Sequence, residues 1–154
     1  MRELERIEDQ MRRALEGGAW HGPAVLEALV GVTVVHAYER PIPGAHTIWE
    51  LVLHLCGAYW LVLRRLRGDA TPLAPDEDWP PVPEPTEANW RTTVDTLRQL
   101  NAETRAAVAA FEPARLDEPL VPTVPYTAYV QFIGLTQHDL YHAGQIAILK
   151  RALA

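Results

Sequence analysis

An all-α four-helix bundle with long loop connections is the fold this sequence predicts, as one domain over residues 1–154. Three observations carry that expectation. Apolar residues recur at helical spacing in four long stretches. Prolines and glycines collect between those stretches and leave the stretches themselves clear. No run alternates apolar and polar residues strongly enough to build a sheet.

The first stripe is Leu4, Ile7, Met11, Ala14 and Leu15, and Gly17-Gly18 ends it. Pro23 opens a short helix through Leu26, Leu29 and Val30, since proline is tolerated at a first helical position. Pro41-Ile42-Pro43-Gly44 then breaks the chain. Thr47 begins the second long helix and, with Glu50 three residues on, forms a capping box. Ile48, Leu51, Val52, Leu55, Tyr59, Val62, Leu63 and Leu66 share one face of it, and Gly68 stops it. This segment of about 20 residues is a rod of about 30 Å.

Residues 68–85 hold Pro72, Pro75, Pro80, Pro81, Pro83 and Pro85, which no long regular element survives. A connection of that length can cross the bundle, so the helices it joins can run parallel. Thr86 caps the third long helix, whose buried side is Trp90, Val94, Leu97, Leu100, Val108 and Phe111. Pro113, Pro119, Pro122 and Pro125 mark another loop, and the fourth long helix starts near Thr127.

Hydrophobic residues make up 48% of the chain and charged residues 22%, which is the balance of a folded globular protein. A length of 154 residues buries a core without disulfides or metal staples. The net charge of −6 speaks against a nucleic-acid partner, which needs a basic face. No stretch is apolar and charge-free for long enough to span a membrane. The charged opening Arg2, Glu3, Glu5 and Arg6 is no signal peptide. Cys56, the lone cysteine, excludes an internal disulfide and fits a reducing cytoplasm.

Chemistry concentrates at His138 and His142. Four apart on a helix, they lie one above the other and can offer two imidazoles to one metal ion. Their face also carries Gln131, Leu135, Gln145 and Leu149. Such a polar strip faces either solvent or a pocket, and two surface histidines are the plain alternative to a ligand pair. His54 is the best third ligand, on the second long helix just beyond its apolar face. A core histidine satisfied by one hydrogen bond fits there too. His46 precedes it by about 12 Å of helix axis and cannot share its ion. His21 and His36 lie in or near breaks and are read as solvated.

Cys56 points nearly opposite to His54 and is read as a small buried residue. Glu50 and Asp139 can orient imidazoles from outside the ligand set. For Glu50 the capping role is favoured, and for Asp139 a solvated surface position is at least as good. Tyr141 and Gln145 are placed to touch a substrate, with packing the favoured use of Tyr141. No His-Glu-x-x-His, di-iron, serine-hydrolase or kinase motif is present. What is left is a three-imidazole site with open positions, suited to Zn²⁺, Ni²⁺ or another divalent ion.

Two strings resemble a known family. Pro41-Ile42-Pro43-Gly44-Ala45-His46-Thr47-Ile48-Trp49-Glu50-Leu51-Val52-Leu53-His54 looks like the second-helix region of the DinB/YfiT-like superfamily. His138-Asp139-Leu140-Tyr141-His142-Ala143-Gly144-Gln145-Ile146 looks like its last-helix signature, and the likeness extends loosely from Trp20 to Leu153. The resemblance implies a four-helix bundle with a metal on three histidines, here His54, His138 and His142. It also implies a homodimer, in line with the surplus apolar positions of the second and fourth long helices.

Two function classes follow. One is a metal-dependent enzyme. The resemblance points to an S-transferase using a low-molecular-weight thiol such as bacillithiol, mycothiol or glutathione, in detoxification or stress response, and a hydrolase remains open beside it. The small-molecule substrate and the catalytic residues stay unassigned. The other class is a non-catalytic, stress-induced, dimeric metal-binding protein. A structural ion usually has a fourth protein ligand. Only Glu50 offers itself as one, which favours the enzyme.

Overall fold

The computed structural model describes residues 2–154. Its helices are α1 (Glu3–Leu15), α2 (Val25–Ala28), α3 (Val34–Tyr38), α4 (Ile48–Leu66), α5 (Pro75–Asp78), α6 (Glu87–Ala109) and α7 (Ala128–Ala152), with a 3-10 turn at Pro113–Arg115. The long helices start where the sequence places caps. The Thr47, Thr86 and Thr127 hydroxyls accept from the amides of Glu50, Asn89 and Val130. The Glu50 carboxylate reaches back to the Thr47 amide at 2.7 Å and closes the expected capping box. Gly68, at φ +84°, takes the left-handed conformation that ends α4.

Four long helices form a ring in which α4 packs on α6, α6 on α1, α1 on α7 and α7 on α4. Paired contacts give their directions. Trp49 Nε1 donates to Thr93 and Asn101 Nδ2 donates to Tyr59, so α4 and α6 run parallel, as the long crossing between them allows. Arg65 bonds Gln131 while His54 meets His138 further along α7, so α4 and α7 are antiparallel. Among the described residues no strand forms, and a single isolated bridge joins Pro119 to Thr127.

A helix of 13 residues such as α1 is marginal alone. It is held by burial of Leu4, Ile7, Met11 and Leu15, each contributing roughly 1.5–3 kcal/mol. These meet Leu55, Leu97, Phe132 and Ile146 in one apolar cluster. Three short elements add to the expected set. Helix α3 forms where Thr33 caps the His36 amide, so His36 sits on a helix, half-buried, and not in a break. Helix α5 forms inside the proline-rich crossing, because Pro75 suits a first helical turn and Glu77 accepts from the Ala74 amide. The turn at Pro113 starts just after α6, and Phe111, expected on that helix, lies beyond its end.

Helix α7 is the least conventional. Its buried side includes Gln131, Thr136, Asp139 and His142, while Tyr129, Val130, Tyr141 and Ile148 are exposed. Among the described residues, no helix is long and apolar enough to cross a membrane.

Candidate metal centre

Helices α4 and α7 cross where His54 faces His138 and His142. His138 Nε2 lies 3.0 Å from His54 Nε2 and 3.0 Å from His142 Nε2. The three form the one group of histidines, cysteines and carboxylates among the described residues with the spacing to hold a metal ion. The two histidines of α7 are aligned by their i, i+4 spacing. The third arrives because α4 runs antiparallel beside them.

Two tautomers follow from the partners. His54 Nδ1 lies 2.7 Å from the Asp78 carbonyl, which can only accept, so Nδ1 carries the proton and Nε2 presents a lone pair. His142 Nδ1 lies 2.6 Å from Gln145 Oε1 and donates to it, with the same consequence at its Nε2. His138 Nδ1 is buried without a hydrogen-bond partner among the described residues. Its Nε2 can donate to one neighbour at most, which leaves lone pairs converging on a common point. A cation at that point satisfies them all. Zn–N bonds of about 2.0–2.1 Å separate ligand nitrogens by roughly 3.3 Å in a tetrahedral arrangement. The observed 3.0 Å edges need only a slight opening. The donor set therefore fits a metal ion.

Electrostatics agree with the geometry. Burial, with the neighbouring His142 and His54, pushes His138 down to about 3. Burial lowers His142 as well, partly opposed by its bond to Gln145. His138 and His142 are thus neutral and ready to ligate near pH 7 without displacing protons.

The other predicted residues sort differently. Asp139 is neither at the surface nor against a histidine ring. It is fully buried, and its Oδ2 accepts from the Tyr59 hydroxyl at 2.5 Å. Burial raises its carboxyl to about 7, and the Tyr59 bond works the other way. Glu50 bonds Arg40, His46 and the Thr47 amide, so it caps α4 and orients no ligand. Cys56 is buried, and desolvation pushes its thiol up to about 12, which rules it out as a nucleophile at neutral pH. Tyr141 does not pack inward; it is 67% exposed, with its ring edge-on to His142. His46 stays outside the triad. His21 is exposed, as expected.

Sequence reasoning missed Asp78 and Trp79, which come from the proline-rich crossing. Their only signal is a tryptophan among prolines. The Trp79 ring stacks on His54 with centroids 3.9 Å apart and on His46 at 3.6 Å. A cleft of about 310 Å³ opens alongside, lined by Ile42, Ala45, His46, Leu51, Gln145 and Ile148.

The family model described as the DinB superfamily matches residues 19–146. That span includes all three histidines and both strings that carry the resemblance. No curated protein and no solved structure matches the chain.

Proposed function

This chain belongs to the DinB superfamily, and on that footing we propose that it is a metal-dependent S-transferase for a low-molecular-weight thiol, or a hydrolase. In this reading His54, His138 and His142 hold a divalent ion, Zn²⁺ or Ni²⁺. One observation carries it: three Nε2 atoms from two helices converge, two of them with their protons committed elsewhere.

A divalent ion on three neutral ligands keeps its full charge and supplies the means to lower the pKa of a bound thiol or water. The chain's own residues do the rest. Asp78 and Gln145 hold His54 and His142 in their ligating tautomers. The cleft beside them, with Ile42, Ala45, Leu51 and Ile148 as apolar walls, seats the apolar part of a small substrate. His46 and Gln145 supply its polar edge. Trp79 and α5 exclude water from the His54 side. No protein nucleophile is required, which agrees with the inert state of Cys56. The exposed pair Tyr141 and Ile148 lies on one face of α7, beside the site. A homodimer through that face is part of the reading, as is a cytoplasmic setting for the lone thiol.

The test is a cobalt-substituted sample of the untagged protein. Added thiols should shift its visible spectrum, and a thiol-conjugation screen on the same sample should find turnover. A cobalt spectrum indifferent to every thiol and inhibitor anion would favour a non-catalytic metal-binding protein instead.

A further inference from the structure

We propose that Trp79, on the crossing between α4 and α6, is a positioning residue for the His54 ligand, and that its stacking on that ring sets the metal affinity. The inference rests on the metal reading above and concerns a part of the chain that supplies no ligand.

The crossing is fastened along one side of α4. His54 Nδ1 donates to the Asp78 carbonyl at 2.7 Å, and Asp78 Oδ1 lies 3.1 Å from the same nitrogen. At Gly57 the backbone approaches so closely that a Cβ would stand 2.7 Å from the Glu77 carbonyl oxygen. Further on, Arg64 donates to Glu77 at 2.6 Å and to the carbonyls of Thr71 and Pro72. Six prolines restrict the crossing before it docks, so less chain entropy is lost in fixing it.

Trp79 is the end of this clamp. Its ring is parallel to that of His54, at an interplanar angle of 0°, and 12° from that of His46. Two imidazoles at such separations cannot share one indole face, so Trp79 is inserted between them. The arrangement matters most at His54. His138 and His142 are aligned by α7 itself, whereas His54 comes from a second helix and its ring rotation is the remaining freedom. The Asp78 carbonyl selects the tautomer and the indole plane selects the rotation. An imidazole that ligates a cation is electron-poor, and the negative face of an indole favours it. Preorganisation of this kind strengthens binding by removing the ordering cost from the binding step.

The experiment is a Zn²⁺ titration of the full metal-free chain against a chromophoric chelator, with circular dichroism on every variant. Trp79→Ala should bind zinc about 10–100-fold more weakly. Trp79→Phe, which keeps a flat ring, should recover most of that loss, and Trp79→Leu, which keeps apolar bulk alone, should not. The Phe and Leu variants decide the matter should Trp79→Ala fail to fold. Val82→Ala loosens the crossing away from His54, where Val82 packs on the core, and should lower the melting temperature without changing zinc affinity. In the metal-free protein, ¹⁵N shifts of His54 should show one Nδ1-protonated tautomer, and a mixture in Trp79→Leu. Wild-type affinity in Trp79→Leu, or an equal loss in Val82→Ala, overturns the positioning role and leaves the metal site standing. A wild-type chain that binds no zinc overturns both together.

Discussion

The Tyr59 hydroxyl donates to Asp139 Oδ2 at 2.5 Å in the middle of the bundle, and neither side chain reaches solvent. Asn101 Nδ2 donates in turn to the Tyr59 oxygen at 2.8 Å, tying α6 to the same pair. Among the described residues Asp139 has no other partner, since its Oδ1 is unpaired. Tyr59→Phe removes the one donor and should cost roughly 1–3 kcal/mol of stability. Urea denaturation with an unchanged slope is the measurement. An unshifted midpoint would mean the bond contributes nothing net.

Gln145 holds His142 through a 2.6 Å bond from Nδ1. Gln145→Ala frees the ring to turn and to change tautomer. Metal affinity should fall by about 10–100-fold, the usual effect of losing a partner of this kind. The fold should survive, because Gln145 is not among the core residues. Competition titration checks the affinity, and circular dichroism checks the fold.

Stability on the acid side has an assignable part at the start of α4. Partial burial pushes Glu50 up, but the Thr47 amide and the Arg40 guanidinium together outweigh it and hold the carboxyl below its ordinary value. A depressed folded-state pKa stabilises above the unfolded value, and that contribution is lost as the pH falls through the folded one. Glu50→Gln should therefore be less stable than wild type near pH 7, by about 1 kcal/mol. The gap should narrow as the pH falls below the ordinary glutamate value of about 4.3 and close below the lowered folded-state one. Thermal melts across that range would show a constant gap if the effect were not ionic.

Gly57 has no room for a methyl group against the Glu77 carbonyl. The obstacle is backbone, which cannot swing aside as a long side chain can. Gly57→Ala should cost about 1–3 kcal/mol by displacing residues 75–79, despite the better helix propensity of alanine. A melting temperature raised above wild type would show that the crossing yields freely.

The long helices were legible because their ends carry chemistry: threonine caps at 47, 86 and 127, glycine at 68, and prolines outside. The three histidines were legible from an i, i+4 pair and a polar interruption in an apolar face. Asp139 was not. A wheel cannot tell a buried carboxylate from a solvated one, because its burial depends on Tyr59, 80 residues away in sequence. Tyr141 failed for the converse reason: α7 leaves Tyr129, Val130, Tyr141 and Ile148 outside while it buries Gln131, Thr136, Asp139 and His142 beside its apolar core residues. Asp78 and Trp79 lie in a segment with no period to read, and their placement is decided by how the crossing docks on α4.

Metal content of the untagged chain, purified alongside its six single histidine-to-alanine variants, tests the central claim most directly. Wild type should carry one divalent ion per chain. His54→Ala, His138→Ala and His142→Ala should each lose most of it with little change in helix content, because the apolar core holds the bundle together. His21→Ala, His36→Ala and His46→Ala should retain it. Wild-type metal content in His54→Ala would contradict the three-histidine site and leave His138 and His142 as a pair without a partner.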